Sequence, residues 1–99
     1  MNAREENGVL VIELSGRIDT GNAPEIEKNL AELAAANPGA RVVFDAEDLE
    51  YISSAGLRVL LHARKNNPEI SIINVGDDVY EIFEVTGFSQ MFSIERKTV

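Results

Sequence analysis

"RVVFDAEDLEYISSAGLRVLLHARKN" (residues 41–66) decides how the fold is read. It opens on "RVVFDA" (41–46), a short apolar, β-branched run of the kind expected in a strand covered on both faces. It closes on "SAGLRVLLHARKN" (54–66), where Leu57, Leu60 and Leu61 recur at helical spacing as a buried stripe. Arg64 and Lys65 fall in the last turn of this helix, where they suit its dipole, and Pro68 closes it. Between strand and helix lies the polar "EDLEYISS" (47–54), read as a loop.

The flanking sequence repeats the same unit. "VLVIEL" (9–14) is a strand stopped by Ser15 and Gly16. "APEIEKNLAELAAAN" (23–37) is a helix with Ile26, Leu30 and Leu33 on one face. Asn22 is its expected cap, Glu25 gives a near capping box, Pro24 suits the first turn, and Asn37-Pro38-Gly39 ends it. "ISIINV" (70–75) is the next strand. "DDVYEIFEVTG" (77–87) is a third helix, with Val79, Ile82 and Phe83 facing inward and Gly87 as its stop. "MFSIE" (91–95) reads as a closing strand and Ala3–Glu6 as an edge strand. The order is β-α-β-α-β-α in a single α/β domain spanning 1–99. Its mixed, mostly parallel sheet has four to five strands, with three to four helices. Alternation implies parallel pairing with right-handed crossovers. Binding in such sheets occurs beyond the carboxyl ends of the strands, here at "GRIDTGN" (16–22) and 47–54.

Composition narrows the function. The 99 residues suffice for one core without staples. The net charge of -8 repels DNA, RNA and anionic lipid, so no nucleic-acid partner is expected; a basic protein surface suits it better. The chain has no cysteine and one histidine, which excludes thiol chemistry and a His/Cys zinc site. "MNAREENG" (1–8) holds no apolar run of the secretory kind, and no segment approaches the roughly 20 apolar residues of a membrane span. A cytoplasmic protein without direct membrane insertion is expected.

Catalytic chemistry finds no support at the two serines. His62 lies eight positions after Ser54 on the same helix, roughly 12 Å away at about 1.5 Å per residue, too far to act as its base. It reads as a partly exposed helix residue. There is no G-x-S-x-G and no glycine-rich phosphate loop. Asp45, Glu47 and Asp48 read as a solvated loop rather than a Mg²⁺ site, because hard-cation sites draw ligands from converging elements. No active site and no cofactor are expected. Two readings of Ser53 and Ser54 remain. One hydroxyl caps the helix. Alternatively, an exposed serine beside the small Ala55 and Gly56 accepts a phosphate at a docking surface.

"DLEYISSAGLRVLL" (48–61) resembles the signature of STAS domains, named for sulfate transporters and anti-sigma factor antagonists. "GRIDTGNAPEIEKNL" (16–30) and "GDDVYEIFEVTGFSQMFSI" (76–94) resemble two further blocks of that family, in the right order. At 99 residues the chain is similar to stand-alone bacterial anti-sigma factor antagonists. The resemblance implies a protein that binds an anti-sigma factor serine kinase and so releases a sigma factor. Phosphorylation of a serine at the start of the second helix breaks the complex, and a serine phosphatase restores it. The family serine maps onto Ser54, two positions before Gly56. The family usually has Asp immediately before it, where this chain has Ser53, the second candidate acceptor. The implied partner-binding set is Asp19, Thr20, Ser53, Ser54, Ala55, Gly56 and Arg58. The alternative within the family is a non-phosphorylated STAS subunit of an ABC-type membrane transport complex. Phe88, Met91 and Phe92 are candidates for self-association or for core packing.

Overall fold

The computed structural model describes residues 1–98. The elements are β1 (Ala3–Glu6), β2 (Val9–Ile18), α1 (Ala23–Ala36), β3 (Arg41–Ile52), α2 (Ser54–Asn66), β4 (Ser71–Val75), α3 (Asp77–Val85) and β5 (Ser93–Arg96), with a 3-10 turn at Phe88–Gln90. One sheet runs in the order β1-β2-β3-β4-β5; β1 is antiparallel to β2 and the other neighbours are parallel. This is the expected α/β class with a mixed, mostly parallel sheet.

The strand order advances in one direction, so three right-handed crossovers lay all three helices on the same side of the sheet. The buried side chains accordingly form one cluster. Leu10, Ile12 and Leu14 of β2, Val42, Phe44 and Ala46 of β3, and Ile72 of β4 meet Leu30 of α1, Leu57 and Leu60 of α2, and Val79 and Phe83 of α3. Val9, Val11, Val43 and Ile73 alternate with those strand residues and lie outside the cluster. "RVVFDA" is therefore not covered on both faces by helices. Its apolar character on the second face comes from Val43 pairing laterally with Val11.

Several boundaries move, each for a local reason. β2 and β3 run on to Ile18 and Ile52, because Gly16 pairs with Leu49 after one register shift and Ile18 with Ile52 after a second. Residues 47–52, expected as loop, are thus strand, and Leu49 and Ile52 are core residues. The β1–β2 connection is Asn7-Gly8 with both φ values positive (54° and 82°), a type I′ hairpin turn that pins the polar edge strand. Asn22 does not cap α1. Its backbone is already helical (φ -106°, ψ -7°), whereas a capping residue needs extended φ/ψ to turn its side chain onto the helix amides, so no capping box forms. α3 ends at Val85, with Thr86 as cap and Gly87 beyond it at φ 80°, the left-handed stop expected of glycine. Leu61 is 36% exposed, and Val59 is buried in its place, because α2 packs against α1 as well as the sheet.

The C-terminal aromatics are core residues, not an association surface. Phe83 stacks on Phe88 at 5.8 Å between ring centroids, and Phe88 on Phe92 at 5.3 Å. All three are buried, and Met91 packs against the same cluster. Phe83→Ala opens a cavity in the most enclosed part of this stack, and we expect a loss of about 3–5 kcal/mol in denaturant unfolding, with the midpoint shifting at nearly constant slope.

Candidate functional site

The site is built where β2 and β3 end together. Both strands outrun β4, whose pairing with β3 covers only Val43–Asp45, and they project as a two-stranded ribbon. Arg17 lies over the Tyr51 ring, 4.4 Å from its centroid, and joins the two strands near their tips. The Ser53 amide then donates to the Ile18 carbonyl at 2.8 Å, so the turn into α2 is tied to the end of β2.

Ser53 is the cap of α2. Its backbone is extended (φ -87°, ψ 175°), its Oγ accepts from the Gly56 amide at 3.3 Å, and its carbonyl accepts from the Leu57 amide at 2.9 Å. Ser54, the first residue of the helix, is exposed, and its hydroxyl makes no hydrogen bond among the described residues. The two serines are therefore chemically distinct: one hydroxyl is spent on the helix, the other is free.

Gly56 is buried. A Cβ built there would lie 2.7 Å from Ile18 Cγ2 and 2.7 Å from Ile52 Cγ1. The close approach that a glycine permits at this point is to the chain's own sheet, not to an outside surface. Ala55 is half-buried and packs against the core edge.

Asp19 organises the neighbouring loop. Its Oδ1 accepts from the amides of Gly21 (2.9 Å) and Asn22 (3.2 Å), and its carbonyl accepts from the Ala23 amide at 2.9 Å. Asn22 answers it: Asn22 Oδ1 accepts from the Asp19 amide at 2.8 Å, and Asn22 Nδ2 donates to the Arg17 carbonyl at 2.7 Å. Asp19 is thus committed to folding the loop.

Thr20, Ala55 and Arg58 meet in a groove of about 270 Å³ between the N-terminal halves of α1 and α2. Ala23, Pro24, Glu27, Val59 and His62 complete its walls. His62 and Glu27 bridge the two helices, with Nδ1 and Oε2 at 2.7 Å. This contact joins residues 35 positions apart and left no local signal in the sequence. Asp45 is engaged otherwise than as a cation ligand: its Oδ1 accepts from Asn74 Nδ2 (3.0 Å) and from the Glu47 amide (3.1 Å). Among the described residues no group of three or more His, Cys, Asp and Glu side chains is arranged to hold a metal ion, and no helix is long and apolar enough to cross a membrane.

The profile of the STAS domain matches residues 1–99. The chain belongs to the STAS domain family. Among its relatives, BtrV of Bordetella bronchiseptica, which carries the provisional name of anti-sigma factor antagonist, is 38% identical over 93 residues, covering 89% of this chain and 78% of BtrV. The anti-sigma-B factor antagonist of Listeria monocytogenes is 28% identical over 86 residues, covering 83% of this chain and 75% of the relative. The crystal structure of an anti-sigma factor antagonist from Mycobacterium paratuberculosis superposes with a TM-score of 0.85 at 24% identity, covering 99% of this chain and 85% of that one, and so shares the STAS fold.

In this STAS domain the capping and packing roles make separable predictions. Ser53→Ala should cost about 1 kcal/mol of stability while Ser54→Ala changes it by less than about 0.5 kcal/mol, measured by urea unfolding. Gly56→Ala should cost about 1–3 kcal/mol, because the new methyl meets two stiff isoleucine side chains near their β-branch. Ile52→Ala, which removes the Cγ1 that the new methyl meets, should cost less in the Gly56→Ala background than in wild type.

Proposed function

We infer that this STAS domain is an anti-sigma factor antagonist that binds an anti-sigma factor serine kinase and is released from it by phosphorylation of Ser54. The observation that carries the reading is the division of labour between the two serines: Ser53 Oγ is held by the Gly56 amide, and Ser54 Oγ is exposed and unbonded among the described residues at the first helical position. The names of the relatives BtrV and the Listeria protein support the antagonist part of this reading. The departure from the family's Asp at position 53 loses its weight, since Ser and Asp are equivalent helix caps. Ser53 keeps the cap and leaves Ser54 as the acceptor.

The chemistry is a phosphoryl transfer. Ser54 Oγ attacks the γ-phosphorus of ATP bound to the kinase, the bond to the β-phosphate oxygen breaks, ADP leaves, and the hydroxyl proton passes to a base of the kinase. A phosphatase returns the hydroxyl by hydrolysis, releasing inorganic phosphate. Unmodified, the α2 start and the adjoining groove at Thr20, Ala55 and Arg58 form the docking surface. Asp19 acts on that surface through the loop it folds, and Gly56 through the packing that holds Ser54 in place. A phosphoserine adds about -1.5 to -2 charges there, and burying it in the interface costs more than the helix dipole returns. A loss of about 3 kcal/mol weakens binding more than a hundredfold, which suffices for a switch without refolding. The protein stays in the cytoplasm with its partners, and neither nucleic acid nor a cofactor enters the scheme.

Calorimetric titration with the anti-sigma kinase tests the reading. Ser54→Ala should bind as tightly as wild type and stay bound in the presence of ATP. Ser54→Asp should bind at least tenfold more weakly. Equal affinities of Ser54→Asp and wild type, or phosphate found on Ser53 by fragment mass mapping, would overturn the role of Ser54.

A further inference from the structure

α2 differs in charge from the rest of the chain. The protein carries 17 acidic residues against nine lysines and arginines, yet Ser54–Asn66 holds Arg58, His62, Arg64 and Lys65 and no acidic residue at all. Ser54, Arg58, Leu61 and Lys65 are exposed. At about 100° per residue they fall within about 60° of one another around the helix. They make one stripe, roughly 16 Å long at about 1.5 Å per residue. Its middle is apolar, since Leu61 is one of the few large apolar side chains left exposed among the described residues.

The cations beside the stripe are already used within the chain, and those on it are free. Arg64 Nε donates to the Met91 carbonyl at 2.8 Å, and its guanidinium lies 6.0 Å from the centroid of the Phe92 ring. His62 Nδ1 meets Glu27 Oε2 at 2.7 Å. Arg58 and Lys65 have no ion-pair partner among the described residues. Glu27 lines the same groove as Arg58, but its carboxylate is engaged by His62.

We propose that this stripe docks on an acidic patch of the anti-sigma kinase, with carboxylates meeting Arg58 and Lys65 and an apolar side chain meeting Leu61 between them. The proposal rests on the reading of Ser54 as the phosphorylated residue and adds the chemistry of the partner's surface. The whole-chain charge of -8 selects a basic partner at long range, but screening over about 8 Å at physiological salt leaves local charges to decide at contact. The switch points the same way. A phosphate on Ser54 lies one turn before Arg58 on the same stripe, at i and i+4. A charge of about -1.5 to -2 there repels the partner's carboxylates and offers Arg58 an acceptor within the chain. Against a basic patch the same phosphate would tighten the complex rather than release it. A folded protein can be acidic at the contact alone. Nucleic acid and anionic lipid are negative throughout and are repelled by the acidic remainder of the chain.

The titration with the anti-sigma kinase, extended to variants of the stripe at about 0.15 M salt, tests it, with circular dichroism to confirm each fold. Arg58→Glu should bind at least about tenfold more weakly than wild type, and Lys65→Glu and Leu61→Ser at least about threefold. Arg58→Ala should fall between Arg58→Glu and wild type, because it removes the attraction without adding repulsion. Arg58→Lys should stay within about threefold of wild type, because it keeps the charge. Glu95→Lys, an equal change of charge in the opposite sense on the edge strand β5, should alter affinity less than about twofold. Tighter binding by Arg58→Glu would assign a basic patch to the kinase and overturn the proposal, as would affinities of Arg58→Glu and Lys65→Glu equal to wild type. In either case weak binding by Ser54→Asp leaves the phosphorylation reading in place. A wild type that does not bind the kinase removes that reading and the proposal together. Binding of wild type, but not of Arg58→Glu, to phosphatidylserine vesicles would overturn the proposal in favour of a membrane surface.

Discussion

The first turn of α2 rests directly on the ends of two strands, and only a glycine allows it. With Gly56 carrying no Cβ, the helix backbone reaches the Ile18 and Ile52 side chains. This contact fixes the height and direction of the helix start relative to the ribbon formed by β2 and β3. The Ser53 amide bond to the Ile18 carbonyl and the Ser53 Oγ cap follow from it, as does the outward position of Ser54. The candidate acceptor is therefore presented by a rigid, core-packed junction rather than by a loop. A charge added there changes the surface without requiring the fold to move.

The same junction explains why residues far apart in sequence share one surface. The ribbon ends in two connections, Asp19–Asn22 and Ser53. The first is locked by reciprocal hydrogen bonds between Asp19 and Asn22, the second by the helix cap. Thr20 and Arg58 become neighbours because both connections lie at the carboxyl ends of adjacent parallel strands, where α/β folds place their binding residues. The His62–Glu27 contact then spans the groove at helix level. As an exposed pair it contributes little to stability, and its interest lies in where it sits.

Much of this was readable from local pattern. The 3.6-residue spacing of Leu57 and Leu60, the β-branched runs at 9–14 and 70–75, and Gly87 as a helix stop each carry their own physical signature and were found where expected. The Asn7-Gly8 turn carried an equally strong signal for the β1–β2 hairpin that the polar composition of β1 obscured. Where the reading missed, a long-range partner decided. Residues 47–52 look like a loop because Glu47, Asp48 and Glu50 are charged, yet pairing with β2 makes them a strand and draws Leu49 and Ile52 into the core. Asn22 looks like a cap, yet Asp19 and Arg17 claim its side chain.

By itself, then, the amino-acid sequence determined the alternation of elements, the handed α/β class and the two-serine motif, because periodicity, turn residues and capping chemistry are local properties. Tertiary structure alone decided three things. It divided the serines into a bonded cap and a free hydroxyl, because that depends on where the strand end meets the helix. It showed that the size of Gly56 serves the interior, because the two isoleucines arrive from other elements. And it left one face of the sheet uncovered, because strand order and crossover hand, not composition, choose the side on which every helix lies.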